Sequence, residues 1–201
     1  MHPIPGLVTV CGIARCSRTP WYDRGMRSVL LLGLTAACVV VDDPTVGEGF
    51  STTAWDDGWA SFEDEVLAQV NEQRAAGGRC GTANFPPSAP LEHDVTLRGL
   101  ARWYSRWMAE DGFFDHVDPN GDDPFDRMSD AGFTGATPWG ENIAAGYPDP
   151  DQVMAGWMSS PGHCANILEP GYAVIGIGYY DLPDDPALMQ HYWTQEFAAS
   201  H

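Results

Sequence analysis

Residues 160–168 read SPGHCANIL and place a histidine, His163, directly before a cysteine, Cys164. Ser160 followed by Pro161 is typical of a helix start, and the Glu-Pro-Gly sequence after this stretch predicts the end of that helix. Adjacent side chains on a helix point about 100° apart, so these two side chains cannot converge on one atom. We therefore expect the histidine and the cysteine to have separate roles.

Helical and extended patterns alternate along the chain on both sides of this stretch. Apolar residues at helical spacing predict helices over 61–76, from Asp94 onward, near the end of 113–133, and from residue 149 through Trp157. Residues 138–146 begin as an extended segment, and 172–181 and 189–197 alternate like two strands of a hairpin. Helices that accompany an antiparallel sheet predict an α+β layered domain.

Two glycines, Gly176 and Gly178, lie two residues apart in the first of these predicted strands. Successive strand residues point to opposite faces, so the pair shares one face of the sheet. A strand face without side chains favours the close approach of a helix rather than a phosphate site.

The beginning of the chain looks like a bacterial lipoprotein signal. From Met26, an arginine is followed by an apolar run over 29–34 and by Thr-Ala-Ala-Cys, which ends at Cys38. This run is too short to span a bilayer but suits a signal peptide. The pattern predicts translation from Met26, a leader over 1–37, and lipidation of Cys38. An ordinary signal peptide cleaved after Ala37 or nearby is the alternative.

Between this leader and the predicted domain over 61–201 lies an acidic segment. Residues 38–60 mix acids, glycine and threonine without periodicity, which predicts a tether. The alternative is a partly ordered arm, because Trp55 and Trp59 could dock on the domain.

The charge of the protein limits its partners. Its formal net charge is -18, it contains no lysine, and the predicted leader carries four arginines and one aspartate. Removal of the leader therefore leaves the chain still more negative. Such a surface repels nucleic acids and anionic lipids, so we expect no nucleic-acid partner and membrane contact through the lipid anchor alone. We also expect a monomer.

The cysteines divide into two groups. Cys11 and Cys16 leave with the predicted leader and Cys38 is acylated, so Cys80 and Cys164 remain in the domain. An even pair in an exported chain predicts one disulfide. Two unrelated free thiols are the alternative. A disulfide would exclude Cys164 as a nucleophile.

Four motifs occur in a fixed order: FFDHVDPNG (113–121), PWGENIAAG (138–146), GWMSSPGHCANIL (156–168) and YWTQEF (192–197). Together with VNEQR in the first helix, they closely resemble the bacterial branch of the CAP superfamily. This superfamily comprises cysteine-rich secretory proteins, antigen 5 and pathogenesis-related proteins, which share an SCP-like extracellular domain. The resemblance covers about residues 62–198. It implies an α-β-α sandwich around a small antiparallel sheet, in agreement with the element order above.

In animal and plant members of this superfamily, a cleft with two histidines and two glutamates can bind a divalent metal. The resemblance assigns the first histidine to His116 and the first glutamate to Glu141. Ser160 stands at the position of the second glutamate and Tyr192 at that of the second histidine. His163 lies one helical turn beyond Ser160 and is similar to the histidine of the bacterial S-P-G-H-x-A-N-I motif. The cleft residues are therefore expected to be His116, Glu141, His163 and Tyr192.

This set leaves three interpretations open. The residues could form a hydrogen-bonded network that holds the cleft loops, a site for a divalent metal such as zinc, or an acid/base pair. We expect a binding module with a small-molecule, lipid or peptide ligand, and we assign no catalytic residue. A metal-dependent extracellular hydrolase acting on peptides or cell-envelope polymers is one alternative. A structural surface module with a vestigial cleft is the other.

The lipid anchor can be tested directly. Because Cys38 follows a short apolar run and small residues, metabolic labelling with a palmitate analogue should tag the wild-type protein and leave Cys38→Ala unlabelled. Equal labelling of both proteins would contradict the assignment.

Overall fold

The computed structural model of this protein describes residues 55–200. The predicted leader, Cys38, residues 38–54 of the predicted tether and His201 lie outside the described residues. The elements within the described part are α1 (Asp57–Ala76), β1 (Gly78–Cys80), β2 (Ala83–Phe85), β3 (Glu92–His93), α2 (Val95–Asp111), α3 (Pro124–Asp130), β4 (Trp139–Ala145), α4 (Pro150–Ser159), α5 (Pro161–Leu168), β5 (Val174–Asp181) and β6 (His191–Ala198). None of the described helices is both long and apolar enough to cross a bilayer.

A four-stranded sheet forms the middle layer, with the strand order β3-β5-β6-β4. Strands β5, β6 and β4 are antiparallel to their neighbours, and the short β3 runs parallel to β5. Helix α2 packs on one face of this sheet, while α1, α4 and α5 pack on the other. The predicted α-β-α sandwich is therefore confirmed, and β4 is an outer strand of the sheet.

The layer formed by α2 lies unusually close to β5. A side chain at Gly176 would collide with the backbone of Leu97, and one at Gly178 would collide with the backbone of Ala101. These helix residues are themselves fully buried. The pair of glycines therefore allows the helix backbone to lie directly on the strand, as the sequence predicts.

Helix α1 begins at Asp57, four residues earlier than the sequence pattern suggests. The side chain of Asp56 accepts hydrogen bonds from the backbone N–H groups of Gly58 and Trp59, which caps the first turn. The first clearly periodic apolar residue comes later, so periodicity alone misplaced the start. Trp55 and Trp59 both contact the ring of Tyr180, and the end of the predicted tether thus belongs to the domain.

A buried carboxylate joins α1 to α2. Glu63 is fully buried and forms ion pairs with Arg98 and Arg102. It also accepts hydrogen bonds from the Trp55 indole at 2.9 Å and from the backbone of Tyr179 at 3.2 Å. A buried charge requires this degree of pairing, because an uncompensated one costs several kcal/mol.

The three shortest strands were not predicted. The segment after α1 reads as a loop rich in proline and glycine, but it contains the β1–β2 hairpin, and β3 has only two residues. Strands of two or three residues contain too few alternations to produce a recognisable pattern.

Cys80 at the end of β1 and Cys164 in α5 form a disulfide. Their Cα atoms lie 5.6 Å apart, within the range that this bond requires. Both residues are buried in the same core cluster as α1, α4 and β6. The bond therefore ties α5, which carries His163, to the body of the domain.

Removal of this bond should destabilise the domain. The two cysteines are separated by 84 residues, and closing a loop of that length is worth about 4.5 kcal/mol in the chain-entropy model. We expect Cys80→Ala/Cys164→Ala to unfold at a clearly lower denaturant concentration than the wild type, with a steeper dependence on denaturant because its unfolded chain is less compact. Equal midpoints in chemical unfolding would show that the crosslink adds nothing to stability.

Candidate functional site

The site is built on β4, which carries most of the GENIAAG motif. In this strand Glu141 and Ile143 point to the α2 face of the sheet, whereas Asn142 and Ala144 point to the opposite face. The outer edge of β4 therefore lies between the α2 layer on one side and the layer of α4 and α5 on the other.

His116 and Glu141 are in direct contact, as the resemblance suggests. The ring Nδ1 of His116 lies 2.6 Å from Oε1 of Glu141. The glutamate side chain is almost fully buried, whereas the imidazole is 48% exposed. This hydrogen bond raises the pKa of His116 above its usual value, although burial acts in the opposite direction. An exposed imidazole thus covers a buried carboxylate.

Arg127 occupies the other oxygen of the same carboxylate. Its guanidinium donates to Oε2 of Glu141 at 2.7 Å, and it also donates to the carbonyls of His116 and Asp122. The guanidinium carbon lies 3.7 Å from the centre of the Tyr104 ring. Arg127 therefore holds the loop before α3 against the strand while it neutralises Glu141.

Glu196 adds a second buried carboxyl group to this face. It is the cross-strand partner of Glu141, it is fully buried, and neither of its oxygens accepts a hydrogen bond from any donor within residues 55–200. Burial raises the pKa of Glu196 well above its usual value, and the contact with Glu141 raises it further. Burial and the neighbouring Glu141 carboxylate thus both favour the neutral form of Glu196.

Asparagines on the opposite face join β4 to α5. Nδ2 of Asn166 donates to the Glu141 carbonyl at 3.1 Å and to Oδ1 of Asn142 at 2.9 Å. Nδ2 of Asn142 in turn donates to the His163 carbonyl and to Oε1 of Gln195. The asparagine of the SPGHCANIL stretch therefore positions His163 beside the outer edge of the strand.

A pocket of about 370 Å³ lies along this edge. One wall comes from Phe114 and the other from α4 and the start of α5, and the floor is β4 itself. The lining residues are Phe114, Ile143, Ala144, Ala145, Tyr147, Gly156, Trp157, Ser159, Ser160 and His163. Most of this surface is apolar, and Ser159, Ser160 and His163 contribute polar side chains to it, as in many ligand sites.

Ser160 and His163 are two polar side chains of the pocket wall that can form hydrogen bonds with a ligand. Ser160 is the N-cap residue of α5, yet its hydroxyl forms no capping hydrogen bond. Burial lowers the pKa of His163 below its usual value, and nearby His116 lowers it slightly more. At neutral pH the His163 ring is therefore uncharged and can both donate and accept a hydrogen bond.

Tyr192 lies on the same sheet face as Glu141 but serves another part of the molecule. Its hydroxyl donates to Oδ2 of Asp185 at 2.9 Å. That carboxylate also accepts from backbone N–H groups of the β5–β6 loop, including those of Met189 and Gln190. The described contacts of Tyr192 thus fix the hairpin loop, whereas His116 contacts Glu141 and His163 lines the pocket.

The residues of the cleft do not fit a resident divalent metal. Both oxygens of Glu141 are engaged by His116 and Arg127, so an ion would have to displace one of them. Serine and tyrosine replace the second glutamate and the second histidine. In the part of the chain that is described, no group of three or more His, Cys, Asp and Glu side chains could hold a metal ion. The predicted zinc site stays untested, and we derive no chemistry from it.

Sequence reasoning missed Arg127 and Glu196. A signal for Glu196 existed, because strand alternation places it on the same face as Tyr192 and Thr194. Its partner, however, depends on the register between β4 and β6, which the sequence does not contain. Arg127 is the last arginine in the chain, but nothing near it in sequence indicates which carboxylate it meets.

The pKa values of His116 and His163 should be shifted in opposite directions from the ordinary value for histidine. In an NMR titration we expect a raised pKa for His116 that returns toward normal in Glu141→Gln. We expect a lowered pKa for His163 that rises in His116→Asn, because one nearby positive charge is lost. Since the folded pKa of His116 exceeds the unfolded one, its pair with Glu141 stabilises the fold most at low pH, and this contribution disappears as pH rises through the folded pKa. Identical pKa values for the two histidines would contradict this description.

Comparison with known proteins supports the same fold and motifs. Residues 67–197 match the model of the cysteine-rich secretory protein (CAP) family. The chain is 35% identical over 147 residues to the uncharacterised protein YkwD of Bacillus subtilis, covering 73% of this chain and 51% of YkwD. It is 31% identical over 109 residues to the B. subtilis membrane protein YlbC, covering 54% of this chain and 29% of YlbC. The matched part of the chain thus spans about half the length of YkwD and less than a third of the length of YlbC.

Solved structures with the same fold come from several bacteria. An extracellular SCP-domain protein of Bacillus anthracis superposes with a TM-score of 0.53 at 25% identity, over 75% of this chain and 45% of that one. An outer surface protein of Borrelia burgdorferi superposes with a TM-score of 0.56 at 19% identity, over 70% and 94% of the two chains. The family match, the order of the motifs and the α-β-α sandwich agree, and this chain belongs to the CAP family of cysteine-rich secretory proteins.

Proposed function

We propose that this protein is exported, anchored through a lipid on Cys38, and acts outside the cytoplasm as a binding module. The ligand occupies the pocket along the outer edge of β4, beside the His116–Glu141 pair. The extracellular B. anthracis relative and the predicted leader support the location. The pocket itself is the observation that carries the binding role.

The cleft has the properties of a binding site rather than those of a reaction centre. Both oxygens of Glu141 are engaged, one by His116 and the other by Arg127, so this carboxylate is not free to act as a general base. The apolar wall formed by Phe114 and Trp157 can instead take up an apolar ligand group by excluding water from it. Ser160 and His163 supply hydrogen bonds that orient the ligand.

The polar network supports this role by fixing one wall of the pocket. Phe114 lies two residues before His116, whose side chain and carbonyl are both held, by Glu141 and Arg127 respectively. The opposite wall is fixed by Asn166 and by the disulfide at Cys164. A pocket with both walls held loses little conformational entropy when a ligand binds.

The proposal can be tested with a substitution that fills the pocket. Ser160 makes no capping hydrogen bond, so Ser160→Phe should change stability little while its ring occupies the mouth of the pocket. Saturation-transfer NMR would be measured with indole, cyclohexanol and dodecanol as probes. We expect signals for at least one probe with the wild type and with the matched control Ser160→Ala, and a loss of at least tenfold in affinity for Ser160→Phe.

Two results would overturn the proposal. One is the absence of binding by the folded wild-type protein both to these probes and to random hexapeptides. The other is binding that is unchanged in Ser160→Phe, because the ligand would then lie elsewhere.

A further inference from the structure

The floor of the pocket is the edge of a β-strand whose backbone groups are only partly used. In an antiparallel pair, the backbone groups of successive residues point alternately toward the partner strand and away from it. In β4, the even-numbered residues direct their backbone N–H and C=O groups toward β6. Odd-numbered residues therefore direct their N–H and C=O groups outward. Two side-chain donors confirm this direction, since Asn166 binds the Glu141 carbonyl and the Trp157 indole binds the Ile143 carbonyl.

This side-chain cover ends halfway along the strand. The Trp157 bond is long, at 3.4 Å, and among residues 55–200 no partner is found for the outward groups beyond it. Within residues 55–200, no hydrogen bond uses the N–H of Ile143 or either backbone group of Ala145 on this edge. Both residues line the pocket. Unpaired strand edges are templates for another extended chain.

We propose that the groove along β4 binds an extended peptide segment, which adds to the edge of the sheet at Ile143 and Ala145 and places a large apolar side chain in the pocket. This inference rests on the proposed binding function and names its ligand class. Main-chain hydrogen bonds hold the peptide in register, and the pocket selects one of its side chains.

The chemistry of the groove favours a peptide over an alkyl chain. A lipid tail on this floor would bury the free N–H and C=O groups of Ala145 without partners, at a cost of about 1–3 kcal/mol for each group. A peptide backbone supplies one acceptor and one donor at the required spacing. The uncharged ring of His163 and the hydroxyl of Ser160 can meet the next peptide group along the groove.

The charge of the protein restricts the peptide further. The net charge is -18, and the exposed Asp115 directly follows Phe114 in the pocket wall. An acidic peptide would be repelled, so the segment is neutral or basic. Phe114, Tyr147 and Trp157 form an aromatic surround that suits an aromatic or large aliphatic side chain.

Ala145 offers a substitution that tests the edge alone. Its N–H points away from β6, so Ala145→Pro removes no ladder hydrogen bond, and proline is tolerated on edge strands. Ala145→Ser keeps the N–H and is the matched control. Circular dichroism and thermal unfolding would confirm that both variants fold.

The probe is a bead library of random hexapeptides, screened against the wild-type chain, with hits resynthesised for calorimetry. We expect neutral or basic hits that contain an aromatic or large aliphatic residue. Ala145→Pro should weaken their binding at least tenfold, whereas Ala145→Ser stays within about twofold of wild type. Methylation of single peptide nitrogens should abolish binding at alternate positions, as a strand pairing requires.

The remaining outcomes separate the two proposals. Hits that bind wild type and Ala145→Pro equally would overturn the strand pairing. If no peptide binds but indole or dodecanol still occupies the pocket and is lost in Ser160→Phe, the binding function stands and the peptide inference is overturned. If neither peptides nor these small probes bind, both proposals fall.

Discussion

The cleft depends on one buried negative charge, that of Glu141. A carboxylate that is almost completely removed from water must be compensated, and each of its neighbours meets part of that requirement. Arg127 supplies a permanent positive charge, His116 supplies one that depends on pH, and the raised pKa of Glu196 favours its neutral form. If the loop that contains His116 or the start of α3 moved away, Glu141 would become exposed or its buried charge would lose its partners.

This requirement also explains why only part of the site could be predicted from sequence. The resemblance supplied His116 and Glu141 because both lie in contiguous motifs. Arg127 meets Glu141 only through the packing of α3, and Glu196 meets it only through the register of β4 with β6, so no local sequence pattern identifies either contact. Tyr192 occupies the expected position on the sheet, but its hydroxyl is directed to Asp185 in a loop whose conformation the sequence pattern does not determine.

The fold was easier to predict than the site for a related reason. The helices and the β5–β6 hairpin bury a stripe or a face, so periodicity reveals them, and the glycines at 176 and 178 indicated the close helix. The elements that were missed are those whose formation depends on contacts rather than on periodicity. The first turn of α1 is stabilised by the Asp56 cap rather than by an apolar stripe, and the short strands β1 to β3 are stabilised by hydrogen bonds to partner strands that their own sequences do not identify.

The clamp around Glu63 also determines how a force on the amino-terminal side of the domain would be transmitted. A pull on the chain ahead of residue 55 would act first on Trp55, whose indole is hydrogen-bonded to Glu63 and stacked near Arg102. Because Glu63 is paired with two arginines of α2, the load would pass into that helix and the centre of the sheet. The pocket wall at α5 is held separately, by the disulfide between Cys80 and Cys164.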